Sequence, residues 1–280
     1  MNNEKLDIIS NILLKRNLNV LMKIEKERLG FKKNDLVFIG MANLAELHVC
    51  KMQSYLESKD MEIQFFNSYL SDRLKYSILI KDIDLNEEIS DLDLLKICND
   101  LSLEEIEEFV FKENKLIGKV VESPLKDSKL KIAKNLEPTA QGSIYEMIYG
   151  EKYPKIRWNF KIDKIVLVGV ADGLRGDIIY EFKRYGNSYL MNASKKRAET
   201  QGDIYGYFFK RSKKRMHYFL KETEEQIIDE KKIDEQNVLR TINTFYEILE
   251  GKTEGPEYKW FCNNCKFNQD CKFSSKKSNY

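Results

Sequence analysis

The stretch Gly169-Val170-Ala171-Asp172-Gly173-Leu174-Arg175-Gly176-Asp177-Ile178-Ile179-Tyr180-Glu181-Phe182-Lys183 decides how this 280-residue chain is read. Residues 165–171 form an apolar, β-branched run, and Leu174-Arg175-Gly176-Asp177 carries turn chemistry. Residues 178–183 then alternate as a half-buried strand does, with Ile178, Tyr180 and Phe182 on one face and Ile179, Glu181 and Lys183 on the other. A hairpin of this kind brings Asp172, Glu181 and Lys183 to one place. Two carboxylates there suit a hard divalent cation. A metal-bound water and a nearby ammonium suit phosphodiester cleavage. By itself the triplet reads more readily as a turn aspartate and an exposed Glu/Lys pair.

Working outward, residues 194–209 read as a helix with Ser194 as N-cap, on which Gln201 and Tyr205 lie four apart on one face. Upstream, residues 139–149 read as a helix between Pro138 and Gly150, with Gly142 and Glu146 also four apart. The C-terminus carries Cys262-x2-Cys265-x5-Cys271.

In this order, Gly142…Glu146, Gly169-x2-Asp172, Glu181-x-Lys183 and Gln201-x3-Tyr205 resemble the RecB-like branch of the PD-(D/E)XK nucleases. With the terminal cysteine triplet and one distant upstream cysteine, the pattern is most similar to the CRISPR-associated RecB-like iron–sulfur exonucleases. The resemblance spans residues 41–55 and about 137–273. It implies an α/β fold whose central mixed sheet, flanked by helices, holds the site, with a helical insertion and a C-terminal iron–sulfur clasp. It also implies Mg²⁺ or Mn²⁺ held by Glu146, Asp172, Glu181 and the carbonyl of Phe182. Lys183 would then handle the water or phosphate, and Gln201 and Tyr205 would position DNA or support the ligands. The family places histidine where Glu146 stands, so either Glu146 substitutes as an oxygen ligand or the site is impaired; substitution is favoured because carboxylate suits Mg²⁺ and Mn²⁺. The implied activity is exonucleolytic cleavage of single-stranded DNA ends during CRISPR spacer acquisition, with CRISPR adaptation proteins as partners. A reading of another class is a catalytically weak DNA-binding subunit, and a third is a zinc-clasped DNA-binding protein.

Three close cysteines need a fourth soft ligand. Cys50 is the choice, because Cys50-x4-Tyr55-Leu56 resembles the family's N-terminal cysteine motif, and Cys98 is the fallback. Four thiolates hold either a 4Fe–4S cluster or a zinc ion. The cluster is favoured by the resemblance.

Composition is that of a globular chain, with 33% charged and 11% aromatic residues and a net charge of +2. No apolar run approaches bilayer length, and the N-terminus shows no secretory signal, so the expected location is cytoplasmic. Five cysteines in that compartment argue against a disulfide framework. Residues 195–215 hold eight basic side chains against Glu199 and Asp203, a candidate phosphate-binding patch. Residues 82–113 hold twelve acidic ones, a candidate partner surface. The expected organisation is N-terminal helices over 1–60, a mainly helical insertion over 61–135, the nuclease core over 136–250 and the cysteine segment over 251–280. Within it, helices are expected at 6–29, 41–58, 103–111 and 226–250, with a strand at 115–121 and His48 as a packing residue.

Overall fold

Short β-branched runs pair into two mixed sheets, and helices flank them. The structure, a computed structural model, describes residues 36–59, 156–256, 259–269 and 271–274. It also describes Ile80, Glu105, Gly142, Tyr145, Glu146, Tyr149, Gly150 and Tyr153. The helix expected at 6–29 lies outside these residues. So do the strand at 115–121, Cys98, and all of the insertion except Ile80 and Glu105, which are helical.

Strand β1 (Val37–Gly40) runs parallel to β3 (Ile165–Val170), whose other edge pairs antiparallel with β2 (Arg157–Ile162). The second sheet has the order β4 (Gly173–Arg175), β5 (Ile178–Tyr185), β6 (Lys213–Leu220), β7 (Gln226–Lys232). β5 and β6 are parallel, and both outer pairs are antiparallel. Parallel neighbours need a crossover, and α3 (Ser188–Phe208) supplies it. The architecture is α/β with mixed sheets, as expected. Among the described residues no helix is long and apolar enough to cross a membrane.

The hairpin forms with a shorter loop than the sequence suggests. Leu174 and Arg175 belong to β4, so only Gly176 and Asp177 turn the chain, and Gly176 adopts φ +56°. A two-residue hairpin loop requires such positive φ, which glycine tolerates. Asp177 fastens the loop to β6 by accepting from the Ser212 amide at 2.8 Å and from its hydroxyl.

Several expected boundaries move. Helix α3 begins at Ser188, capped by the Asn187 side chain, which accepts from the Leu190 amide at 3.0 Å; Ser194 is buried inside the helix. The expected helix 226–250 is two elements. Its first part is strand β7, drawn into the sheet by β6, and α4 (Glu235–Leu249) follows with Asp234 as N-cap. The β-branched pair Ile227-Ile228 was the available strand signal. The helix expected at 41–58 breaks into α1 (Met41–Ala45), a 3-10 turn (Glu46–His48) and α2 (Lys51–Lys59).

The core lies between β3, β5 and the helices, with Ile39, Met41, Ile165, Leu167, Ile179, Ile204, Phe209 and Phe245 buried. Backbone approaches are close enough to demand glycine. A Cβ on Gly169 would meet Met41 Sδ at 2.7 Å and Phe209 Cε2 at 2.8 Å, and one on Gly206 would meet Ile233 Cδ1 at 2.1 Å.

A buried polar network locks α3 to β6 and to the start of α4. Asp203 accepts from Lys214 Nζ at 2.6 Å, from the Asp234 amide at 2.8 Å and from Asn237 Nδ2 at 3.1 Å. Lys214 also donates to the Glu199 carbonyl at 3.0 Å, so both charges are satisfied. Lys214 is therefore a structural cation, not part of a solvated basic patch. Removing one partner of such a pair strands the other. Lys214→Met is expected to cost about 3–5 kcal/mol in urea denaturation. Lys213→Ala, which breaks an exposed pair with Glu230, should cost less than about 1 kcal/mol. Equal small losses would place Lys214 on the surface instead.

Candidate active site

Strand β5 is buried on both faces, against the half-buried strand expected. On one face Ile179, Glu181 and Tyr185 lie under α3. On the other, Tyr180 and Phe182 pack with Tyr145 and Tyr153. The Tyr153 and Tyr180 rings stack at 3.8 Å. The reading of the sequence missed this aromatic floor, although Tyr145, Tyr149 and Tyr153 recur every fourth residue.

Asp172 sits in the bend that carries the chain from β3 of one sheet to β4 of the other. β4 pairs with β5 only as far as Gly173 opposite Tyr180. Just beyond, the Phe182 amide donates to Asp172 Oδ2 at 2.9 Å, the side chain taking over where the ladder stops. Gly150 packs against the same point, its ideal Cβ position 3.5 Å from the Asp172 carbonyl oxygen and 3.5 Å from the Phe182 ring.

Glu181 is fully buried, at 0% exposure. Its Oε1 accepts from Lys183 Nζ, whereas Oε2 is buried with no hydrogen-bond donor. The carboxyl of Asp172 lies within hydrogen-bonding reach of Glu181, a contact that two ionised groups cannot make. Burial raises Asp172 well above the usual carboxylate range, and the charges of Glu181 and Glu146 add to it, against Lys183. Burial likewise raises Glu181, opposed by Lys183. Lys183 is itself held above its ordinary value: Glu181 and Asp172 outweigh its own desolvation. It keeps 23% side-chain exposure and so opens the cluster to solvent.

The structure thus brings Asp172, Glu181 and Lys183 together, with Glu146 in electrostatic reach on a helical stretch. From α3, Tyr205 is buried beside Glu181 and Asp172, its hydroxyl 3.4 Å from Gln201 Nε2. Burial, then those two carboxylates, push the Tyr205 pKa well up, so it stays a neutral phenol. Phe182 contributes its amide as described, and its ring is buried 4.7 Å from that of His217. Among these four groups, three carboxylates face one ammonium.

A second gathering lies at the chain's C-terminal end. Cys50, Cys262, Cys265 and Cys271 are free thiols lining one pocket, with Leu56 and Phe261 beside them. The break between the 3-10 turn and α2 places Cys50 there, with its amide donating to Glu46 at 2.8 Å. Burial raises the Cys50 and Cys265 thiols, and the neighbouring cysteines add to this. The C-terminal segment is tied to α2 through the Met52 amide on the Glu254 carbonyl at 3.0 Å, Lys51–Glu254 at 2.8 Å and Lys266–Glu57 at 2.7 Å. Among the described residues, no group of three or more His, Cys, Asp or Glu side chains stands arranged to hold a metal ion.

The basic stretch is mostly spoken for. Lys195 pairs with Asp229 and Glu199, Arg197 with Glu46, Lys213 and Arg215 with Glu230, and Lys214 with Asp203. His48 sits half-buried in the 3-10 turn. Burial, with Lys196 and Arg240 nearby, lowers its pKa to about 4, so the ring is neutral near pH 7.

No family model and no curated protein matches the chain. Among solved structures, the crystal structure of SSO0001 is similar at 16% identity with a TM-score of 0.37, covering 91% of this chain and 96% of that one. That similarity carries no argument about fold or function.

The raised Asp172 pKa has a definite linkage. Between the ordinary carboxylate value and the raised one, the folded chain binds more protons than the unfolded chain, so stability falls as pH rises through that window. Asp172→Asn keeps an acceptor for the Phe182 amide and removes the charge. In EDTA it is expected to flatten the decline and raise Tm on its alkaline side, by ~2–4 °C per kcal/mol of relieved repulsion. A melting series in which the variant keeps the wild-type slope would show that Asp172 does not cause it.

Proposed function

We propose that this chain is a divalent-metal-dependent deoxyribonuclease with a PD-(D/E)XK core, acting on single-stranded DNA ends in CRISPR adaptation. The observation that carries the chemistry is Glu181 Oε2: a buried carboxylate oxygen without a donor, beside the Asp172 carboxyl. Such a pair is stabilised by a proton or a cation. Hard oxygen donors fit Mg²⁺ or Mn²⁺. Asp172, Glu181 and Glu146 would hold the ion, with the Phe182 carbonyl as a further donor. When bound, the ion supplies a water of lowered pKa and neutralises phosphate charge.

The protein's own groups divide the remaining work. Lys183 is held protonated by its carboxylate neighbours, so it stabilises negative charge on phosphate and does not take a proton. Tyr205 and Gln201 back Glu181 from α3 and exclude water from its buried side. The aromatic floor fixes β5 from the opposite face. The DNA substrate, its single-stranded form and the CRISPR setting rest on the resemblance of the motifs.

The shared pocket of Cys50, Cys262, Cys265 and Cys271 supports a thiolate-bound group that clasps the chain's C-terminal segment to α2. A 4Fe–4S cluster is the group proposed.

Purified Asp172→Ala and Glu181→Ala are expected to lose Mg²⁺- or Mn²⁺-dependent cleavage of end-labelled DNA by about a hundredfold or more. Lys183→Ala should lose a comparable amount while still binding metal, and Glu146→His should stay active. Undiminished cleavage by the Asp172→Ala, Glu181→Ala double variant overturns the mechanism. Inactive wild type with every divalent ion, but with DNA binding intact, selects the binding-subunit reading. Separately, anaerobically purified protein should contain about four iron atoms per chain. Cys50→Ala should lose them and Cys98→Ala should not. One zinc and no iron would replace the cluster.

A further inference from the structure

Three side chains of β5 and three of α3 face each other in two antiparallel rows. Along β5 the row is Glu181, Lys183, Tyr185; along α3 it is Tyr205, Gln201, Arg197. Two strand residues advance ~6.6–6.8 Å and four helix residues ~6 Å, so the rows keep step for this length. The first rung joins Glu181 to Tyr205, which lies beside that carboxylate. The third joins Tyr185 to Arg197, whose guanidinium lies beside the Tyr185 hydroxyl. The proposed catalytic machinery occupies the first two rungs and leaves the third unused.

That third rung is built of polar groups in an unusual state. Tyr185 is buried with the hydrophobic side chains Met191, Ala198, Met216 and Tyr218, yet its hydroxyl is buried with no hydrogen-bond partner of good geometry. It is electrostatically coupled to both Lys183 and Arg197. Arg197 donates to Glu46 Oε1 at 2.8 Å across from the 3-10 turn. The Arg197 side chain nevertheless keeps 29% exposure and that of Glu46 18%, so the pair borders solvent as Lys183 does. Two cations, Lys183 and Arg197, are therefore one rung apart, with a phenol between them. One rung is of the order of the phosphate repeat along an extended nucleic-acid strand. Guanidinium, with its fork of donors, is the side chain best matched to a phosphodiester.

We propose that Arg197 is a second phosphate-binding group of this site. It takes the phosphate next to the one held at Lys183 on a bound strand, and Glu46 is its partner when no strand is present. The inference rests on the nucleic-acid reading of the site. It adds a positioning contact: a strand held at two successive phosphates is fixed in direction and register before cleavage. Glu46 competes with the phosphate for the guanidinium, so it lowers affinity for the strand while tying the 3-10 turn to α3.

The test measures binding of a fluorescein-labelled oligothymidylate by anisotropy across a salt series, in Ca²⁺ and again in EDTA, with melting curves for each variant. Arg197→Gln is expected to weaken binding severalfold and flatten the slope of log affinity against log salt by about 0.7, the value for one phosphate of a single strand. Glu46→Gln leaves the guanidinium in place without its competitor and is expected to bind severalfold more tightly, with the slope preserved. A purely structural Arg197–Glu46 pair would lower Tm in both variants and leave the slope unchanged, which overturns the proposal. Should Arg197→Gln fail to fold, Glu46→Gln decides: affinity equal to or below wild type overturns it. Failure of wild type to bind the oligonucleotide in either condition would instead remove the nucleic-acid reading itself.

Discussion

A carboxylate with no exposure to water, Glu181, stands near the middle of the strand that both faces of the fold cover. Burying an ionised carboxylate costs several kcal/mol unless charge and hydrogen bonds return what water supplied. Lys183 supplies part of this from two residues along the same strand, the Asp172 carboxyl adds a hydrogen bond, and Glu146 works against it. The surrounding structure keeps this arrangement in place. α3 covers it from one side with Tyr205 and Gln201, and the stacked rings of Tyr153 and Tyr180 press on the other. A strand with only one face covered would let water relieve Glu181. This one does not, so Glu181 depends on its protein neighbours.

The same logic explains why the basic stretch is poor evidence for a binding patch. A run of lysines and arginines on a sequence says nothing about which of them meet carboxylates after folding. Here Lys214 is consumed by Asp203, and Lys213 and Arg215 share Glu230 on the neighbouring strand. β6 and β7 carry complementary charges at Lys213–Arg215 and Asp229–Glu230, and their antiparallel register sets Arg215 opposite Glu230. These pairs guard an otherwise exposed outer strand, in which Ile228 is 56% exposed, with charge.

The C-terminal segment depends on few contacts of its own. Its ion pairs to α2 are partly exposed and worth less than about 1 kcal/mol each. What concentrates there is sulfur: four thiols in one pocket, drawn from positions more than two hundred residues apart in the chain. A group bound by those thiols would contribute more to holding the segment than any contact now joining it to α2.

The sequence by itself determined the hairpin and the sharing of one strand face by Glu181 and Lys183, because a period of two and a Gly-Asp turn are local properties. It also determined that Gln201 and Tyr205 share a helix face, again from local geometry. Cysteine spacing pointed to Cys262, Cys265 and Cys271 acting together, and the motif around Cys50 to its joining them. Tertiary structure alone decided the rest. The fate of residues 226–232 depended on the edge of β6, because a short, mostly charged segment becomes a strand only where a partner offers its ladder. The break of the 41–58 helix at Val49 and Cys50 lay outside any periodic signal, since the apolar stripe continues through it. That β5 is buried on both faces followed from an aromatic layer contributed by residues far upstream. Which cations face water, and that Arg197 is aligned with Tyr185, followed from the register of a helix on a strand, a relation between elements that no local pattern contains.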